Sequence, residues 1–145
     1  MRPVPTWDTY FMNFAIAAAD RSKDPSTQVG AALVDKDNHV FMTGFNGFAP
    51  GAVERPDMWE RPQKYPMVIH AEVNAIGHAA RKGSSTDGAT LYVTHFPCND
   101  CAKAIVAAGI KRVVARSLAR GWDESHANAR ALFDMAGVSW GTIGA

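Results

Sequence analysis

Cysteine is nearly missing from this chain: among 145 residues there are two, Cys98 and Cys101. The pair leaves three uses open: a disulfide, a redox couple or a metal site. A long hydrophobic run is missing too. The stretch Tyr10 to Ala19 (YFMNFAIAAA) is broken by Asn13, is preceded by Asp8 as well as Arg2, and is too short to span a bilayer. With no signal core and no membrane segment the expected location is the cytoplasm, where a structural disulfide is disfavoured. No excess of one charge exists. The formal net charge of +1 does not mark a dedicated nucleic-acid binder, so nucleic acid is not expected as a partner. Repeats, low-complexity tracts and linkers are missing as well, which suits a single domain over residues 1–145.

What is present alternates. Trp7, Tyr10, Phe11, Phe14, Ala15 and Ala18 fall at helical spacing after Thr6, a good N-cap. Val29 to Val34 and Val40 to Phe45 read as strands joined by a turn at Lys36-Asp37-Asn38. Phe48 to Lys64, with three prolines and no period, reads as a long loop. Helices follow at about 70–82, 98–108 and 123–136, stopped by Gly83, Gly109 and Gly137. Between and after them come strands at 89–94, 111–115 and 138–140. A hairpin followed by alternating helices and strands predicts a three-layer αβα domain with a mixed central sheet of about five strands. Trp7, Phe11, Phe14, Leu132, Phe133 and Met135 are expected in the core.

Cys98 and Cys101 lie at i and i+3 and open a helix behind Pro97. A helix N-terminus favours thiolate, which suits both zinc and redox chemistry. The discriminating stretch is HAEVNAIGHAARKG, His70 to Gly83. At the first turn of a helix, His70 and Glu72 can reach toward one point. One imidazole and two thiolates make three zinc ligands, and a catalytic zinc keeps its fourth position open to water. Glu72 is then free to act as general acid and base. H-x-E with P-C-x-x-C downstream is the zinc deaminase signature. His39 reads as solvated, His78 as packing or surface, and His95 as either a substrate contact or an internal hydrogen-bonding residue.

Five segments extend the match beyond that motif: RSKDPSTQVGA (21–31), GFNG (44–47), KYPMVIHAEVNAI (64–76), FPCNDCAK (96–103) and LFDMAGV (132–138). In this order they resemble the deoxycytidylate (dCMP) deaminases of the cytidine deaminase superfamily. The resemblance implies a cytidine deaminase-like fold and hydrolysis of dCMP to dUMP and ammonia, in the supply of dTTP. It implies one catalytic Zn2+ per chain on His70, Cys98 and Cys101, with Glu72 as proton shuttle. It places Asn46, Ala71, Phe96 and Pro97 at the substrate, and Arg21, Ser22 and Lys23 at a nucleotide phosphate. On residues alone, that charged loop fits a solvated loop better than a phosphate cradle, and the resemblance is what favours the phosphate. Family members are commonly homo-hexamers switched by dCTP and dTTP, so the resemblance also implies an oligomer and nucleotide effectors, with Mg2+ accompanying a triphosphate. Trp59 and Arg61 are then candidates for an effector pocket or a subunit contact, and Arg116, Arg120 or His126 for the phosphate if the 21–23 loop does not hold it.

Other readings use the same motif. They are a deaminase of cytidine, dCTP or a 5-substituted dCMP, a deaminase of bases in nucleic acid, and a zinc-binding module without turnover. The intact Glu72 speaks against the last.

Overall fold

The computed structural model describes residues 1–116 and 123–144. Within them, helix α1 (Trp7–Ala19) leads into strands β1 (Gly30–Val34) and β2 (Val40–Phe45). A two-residue strand β3 (Gly47–Phe48), a 3-10 turn (Pro56–Trp59) and a two-residue strand β4 (Val68–Ile69) follow. Then α2 (Ala71–Arg81), β5 (Thr90–Val93), α3 (Asn99–Ala107), β6 (Arg112–Ala115), α4 (Glu124–Ala136) and β7 (Ser139–Thr142) alternate. Among the described residues five strands form the main sheet, in the order β2-β1-β5-β6-β7. Its β2-β1 and β1-β5 pairs are antiparallel, and its β5-β6 and β6-β7 pairs are parallel. The sheet is mixed, as the sequence predicts. The stretch read as a long loop carries the 3-10 turn, and the short strands that flank it, β3 and β4, pair into a small second sheet.

The two faces of the main sheet are covered differently. Phe11, Met12 and Ala15 of α1 pack on Ala32, Val34, Tyr92 and Val114. Residues from α2, α3 and α4, among them Ala75, Ile105 and Phe133, pack on Leu33, Leu91, Val93 and Val113 of the other face. Close approach needs glycine at two places. A Cβ on Gly30 would collide with the backbone of Ala15 and Ala19 in α1, and one on Gly44 would lie 2.6 Å from Ala71 O and Ala75 N in α2. The second contact seats the first turn of α2 against β2.

The caps follow local chemistry. Thr6 Oγ1 accepts from Thr9 N at 3.2 Å, and Asp123 accepts from His126 N at 2.9 Å. Gly83, Gly109 and Gly137 adopt φ of 71°, 77° and 73° at the helix stops, the left-handed region that glycine enters without a Cβ penalty.

The expected core needs correction at three residues. Phe11 and Phe133 are buried, but Trp7 is 59% exposed, Phe14 37% and Met135 85%. The stripe of α1 that meets the sheet is Phe11, Met12, Ala15, Ala18 and Ala19. Trp7, Tyr10 and Phe14 form a second stripe turned outward, in edge-to-face contact with one another at 5.9 and 5.3 Å.

Candidate metal centre and active site

Two helix N-termini meet. His70 is the N-cap residue of α2 and Cys98 that of α3, and neither uses its side chain to cap. Both side chains are left for another partner. His70 Nδ1 lies 3.3 Å from Cys101 Sγ and 3.6 Å from Cys98 Sγ. All three donor atoms fall within 4.8 Å of one another. A tetrahedral zinc with Zn–S of ~2.3 Å and Zn–N of ~2.0–2.1 Å separates its N and S ligands by about 3.6 Å, so the spacing fits. Among the described residues no fourth metal-ligating side chain joins the group. Asp100 pairs with Lys103 at 3.1 Å on the surface, its side chain 87% exposed.

The protonation states agree with a cation site. Hydrogen bonding from Cys101 outweighs burial and, with His70, brings the Cys98 thiol down to about 4. The Cys101 thiol is pushed up, first by its bond to Cys98 and then by burial. Without a cation the two sulfurs hold one negative charge between them; zinc binds both as thiolates. The His70 imidazole is raised, chiefly by its hydrogen bond to Cys98.

Glu72 sits beside these ligands and is 4% exposed. Burial pushes its carboxyl up, against its own backbone N–H and His70, which favour the charged form. A raised carboxyl suits a group that must accept and return a proton near neutral pH.

A cavity of about 350 Å³ opens over the cluster, lined by His70, Ala71, Glu72 and Cys98 on one side. Val29, Asn46, Phe96 and His126 are also in its wall, with Asp24, Arg61, Lys64 and Tyr65. Of the substrate residues expected from the sequence, Asn46, Ala71 and Phe96 line this cavity. Pro97 is fully buried and does not line it. Ser22 is not in the wall but donates from Oγ to Asn46 O at 2.9 Å. Arg21 is exposed outside the cavity, and Lys23 pairs with Glu54 at 3.2 Å. Arg61 is in the wall, and Arg116 lines a neighbouring cavity with Gln28, Thr94 and His95, of which His95 also lines the main cavity. Arg120 lies outside the described residues.

Sequence reasoning missed Lys64. A lysine in a proline-rich loop reads as solvated, yet Lys64 is 5% exposed. Its Nζ meets both carboxylate oxygens of Asp24 at 3.1 and 3.0 Å. Burial raises the Asp24 carboxyl, but the Ser26 and Thr27 N–H groups and Lys64 outweigh it and hold it below the usual range.

The family model for the cytidine and deoxycytidylate deaminase zinc-binding region matches residues 5–117. The chain belongs to this family. It is 42% identical over 140 residues to a deoxycytidylate deaminase of Pongo abelii and 41% identical over 140 residues to that of Homo sapiens. Each alignment covers 92% of this chain and 78% of the relative. The crystal structure of the dCMP deaminase of cyanophage S-TIM5 in complex with dCMP and dUMP superposes with a TM-score of 0.79 at 29% identity, covering 98% of this chain and 100% of that one. The His70, Cys98 and Cys101 cluster thus falls inside the region this family uses to bind zinc.

Proposed function

We propose that this chain hydrolyses dCMP to dUMP and ammonia with one zinc per chain. The observation that carries the reading is a buried Glu72, its carboxyl raised by burial, beside a three-ligand cluster in a chain of this family. His70, Cys98 and Cys101 hold the metal. When bound, zinc supplies a Lewis acid that acidifies a water at neutral pH. The chain's own groups do the rest. Glu72 takes the first proton of the attacking water and delivers it to N3 of the pyrimidine, where it stays; it then takes the proton of the hydroxyl added at C4 and gives it to the amine, which leaves as ammonia. The Ala71 N–H, in the first turn of α2, donates to the pyrimidine carbonyl oxygen. Phe96 packs against the base and Asn46 contacts the nucleotide. The 5′-phosphate goes to Arg61, because Lys64 is already neutralised by Asp24 and Lys23 by Glu54.

Ammonia release from dCMP, CMP, deoxycytidine and dCTP, measured side by side, tests the reading. Fastest turnover of dCMP supports it. Preference for deoxycytidine or dCTP would move the chain to another substrate of the same chemistry, and no release from any would leave a zinc-binding module. Elemental analysis is expected to return one zinc per chain; two, or none with activity surviving chelation, would overturn the metal assignment.

The same reading includes cytosolic action, self-association and control by dCTP with Mg2+ and by dTTP. The outward stripe of Trp7, Tyr10 and Phe14 supports self-association. Mass measurement in solution, with and without the triphosphates, tests both.

A further inference from the structure

Asn46 is 7% exposed in the cavity wall, and its groups are almost fully engaged inside the protein. Its main-chain N–H donates to Val29 O at 3.2 Å, and its carbonyl accepts from Ser22 Oγ at 2.9 Å. Its side-chain Oδ1 accepts from Val29 N at 2.9 Å. Its Nδ2 donates to Thr27 O at 2.9 Å and to Asp24 Oδ2 at 3.4 Å. A side-chain amide has two N–H donors and two oxygen lone pairs. Both donors are used, and one lone pair of Oδ1 is left. The flipped amide would set its NH2 against the Val29 N–H and its oxygen against a carbonyl and a carboxylate.

Asp24 holds this arrangement from two directions. It meets Nδ2 directly, and it fixes the loop that supplies Thr27 O and Val29 N by accepting from Ser26 N at 2.8 Å and Thr27 N at 3.3 Å. Lys64 supplies the counter-charge, with side-chain exposures of 6% for Lys64 and 5% for Asp24. A buried ion pair stabilises a fold weakly relative to apolar packing, and its best-attested use is to fix one arrangement over others. Deamination chemistry itself does not use either charge.

We propose that Asp24, with Lys64 as its counter-ion, is a positioning residue that acts through Asn46 and makes this point of the cavity an acceptor only. The proposal rests on the nucleotide deaminase reading for its substrate. The group that docks at Asn46 is then a donor, a sugar hydroxyl or an amine, and neither a phosphate nor a carbonyl oxygen.

A double-mutant cycle tests it. Asn46→Ala, Asp24→Asn and their combination are assayed for kcat and KM on dCMP, with zinc content and thermal midpoint alongside. Each single variant is expected to raise KM at least tenfold with a smaller change in kcat. The combination is expected to be no worse than Asn46→Ala alone, since Asp24 works through that residue. Losses that multiply would overturn the proposal and leave Asp24 a purely structural residue. Should Asp24→Asn fail to fold with Lys64 left unpaired, Asp24→Asn/Lys64→Met removes both charges and takes its place in the cycle. A second readout does not need activity. The Asn46 side-chain NH2 signals, assigned by their loss in Asn46→Ala, are expected to exchange slowly in the wild type and quickly in Asp24→Asn. Fast exchange in the wild type would overturn the clamp, whereas an absence of dCMP turnover with slow exchange would overturn only the substrate assignment.

Discussion

Glu72 has to hold a proton at one moment and give it up at the next, and an amide can do neither. Glu72→Gln is expected to keep the zinc and the fold while turnover falls ~10²–10⁴-fold. Zinc analysis and circular dichroism beside a rate assay check this; substantial residual rate would assign the proton to another group. Asp100 is a poor substitute because its side chain faces solvent and Lys103. A second prediction concerns the phosphate. Arg61→Ala is expected to lower kcat/KM on dCMP by roughly one to two powers of ten, the value of a charge-assisted hydrogen bond of about 1.5–3 kcal/mol. Its effect on deoxycytidine should be small. Arg21→Ala, outside the cavity, is the comparator, and a larger loss there than at Arg61 would return the phosphate to the 21–23 loop.

At the scale of elements, the join between β2 and α2 is the sensitive one. A methyl at Gly44 meets backbone atoms of α2, which cannot swing aside as a side chain would. Gly44→Ala is expected to cost about 1–3 kcal/mol in denaturant unfolding and to weaken zinc binding, because the same helix turn carries His70 and Glu72. Unchanged zinc affinity would mean that the helix can shift without disturbing its first turn. Most of this layer was legible beforehand. Helix stops were marked by glycine, strands by β-branched runs, and the ligands by spacing. The face of α1 was not legible, since its apolar residues supply two stripes and periodicity alone does not say which one meets the sheet. Nor was the Asp24–Lys64 pair. The two residues are 40 positions apart, and a lysine's burial depends on a carboxylate that only the fold brings to it.

Across the whole molecule, one polar cluster ties α1 to the sheet. Arg112 donates from Nη1 and Nη2 to Asp8 at 2.9 and 2.7 Å, and Tyr92 Oη donates to Asp8 at 2.7 Å. Hydrogen bonding from Arg112 comes first in holding the Asp8 carboxyl below its ordinary value, against the cost of partial burial. A depressed carboxyl stabilises the fold above its unfolded pKa, and that contribution is lost as pH falls through the folded value. Asp8→Asn should therefore be less stable than the wild type at about pH 7, with the difference shrinking below about pH 4. Unfolding curves across pH check this, and a constant difference would assign the loss to packing.

The same cluster bears on how the chain is made. Asp8 and Arg112 are 104 positions apart, so the helix that is synthesised first waits for one of the later strands before it can be fastened. Until then the inner stripe of α1, with Phe11 and Met12, has no complete sheet to cover it. A nascent chain stalled before Arg112 has Ala32, Val34 and Tyr92 but lacks Val114 and the anchor for Asp8, so the inner stripe is incompletely covered beside the outward one, which is the kind of apolar surface that chaperones bind and that aggregates when they do not.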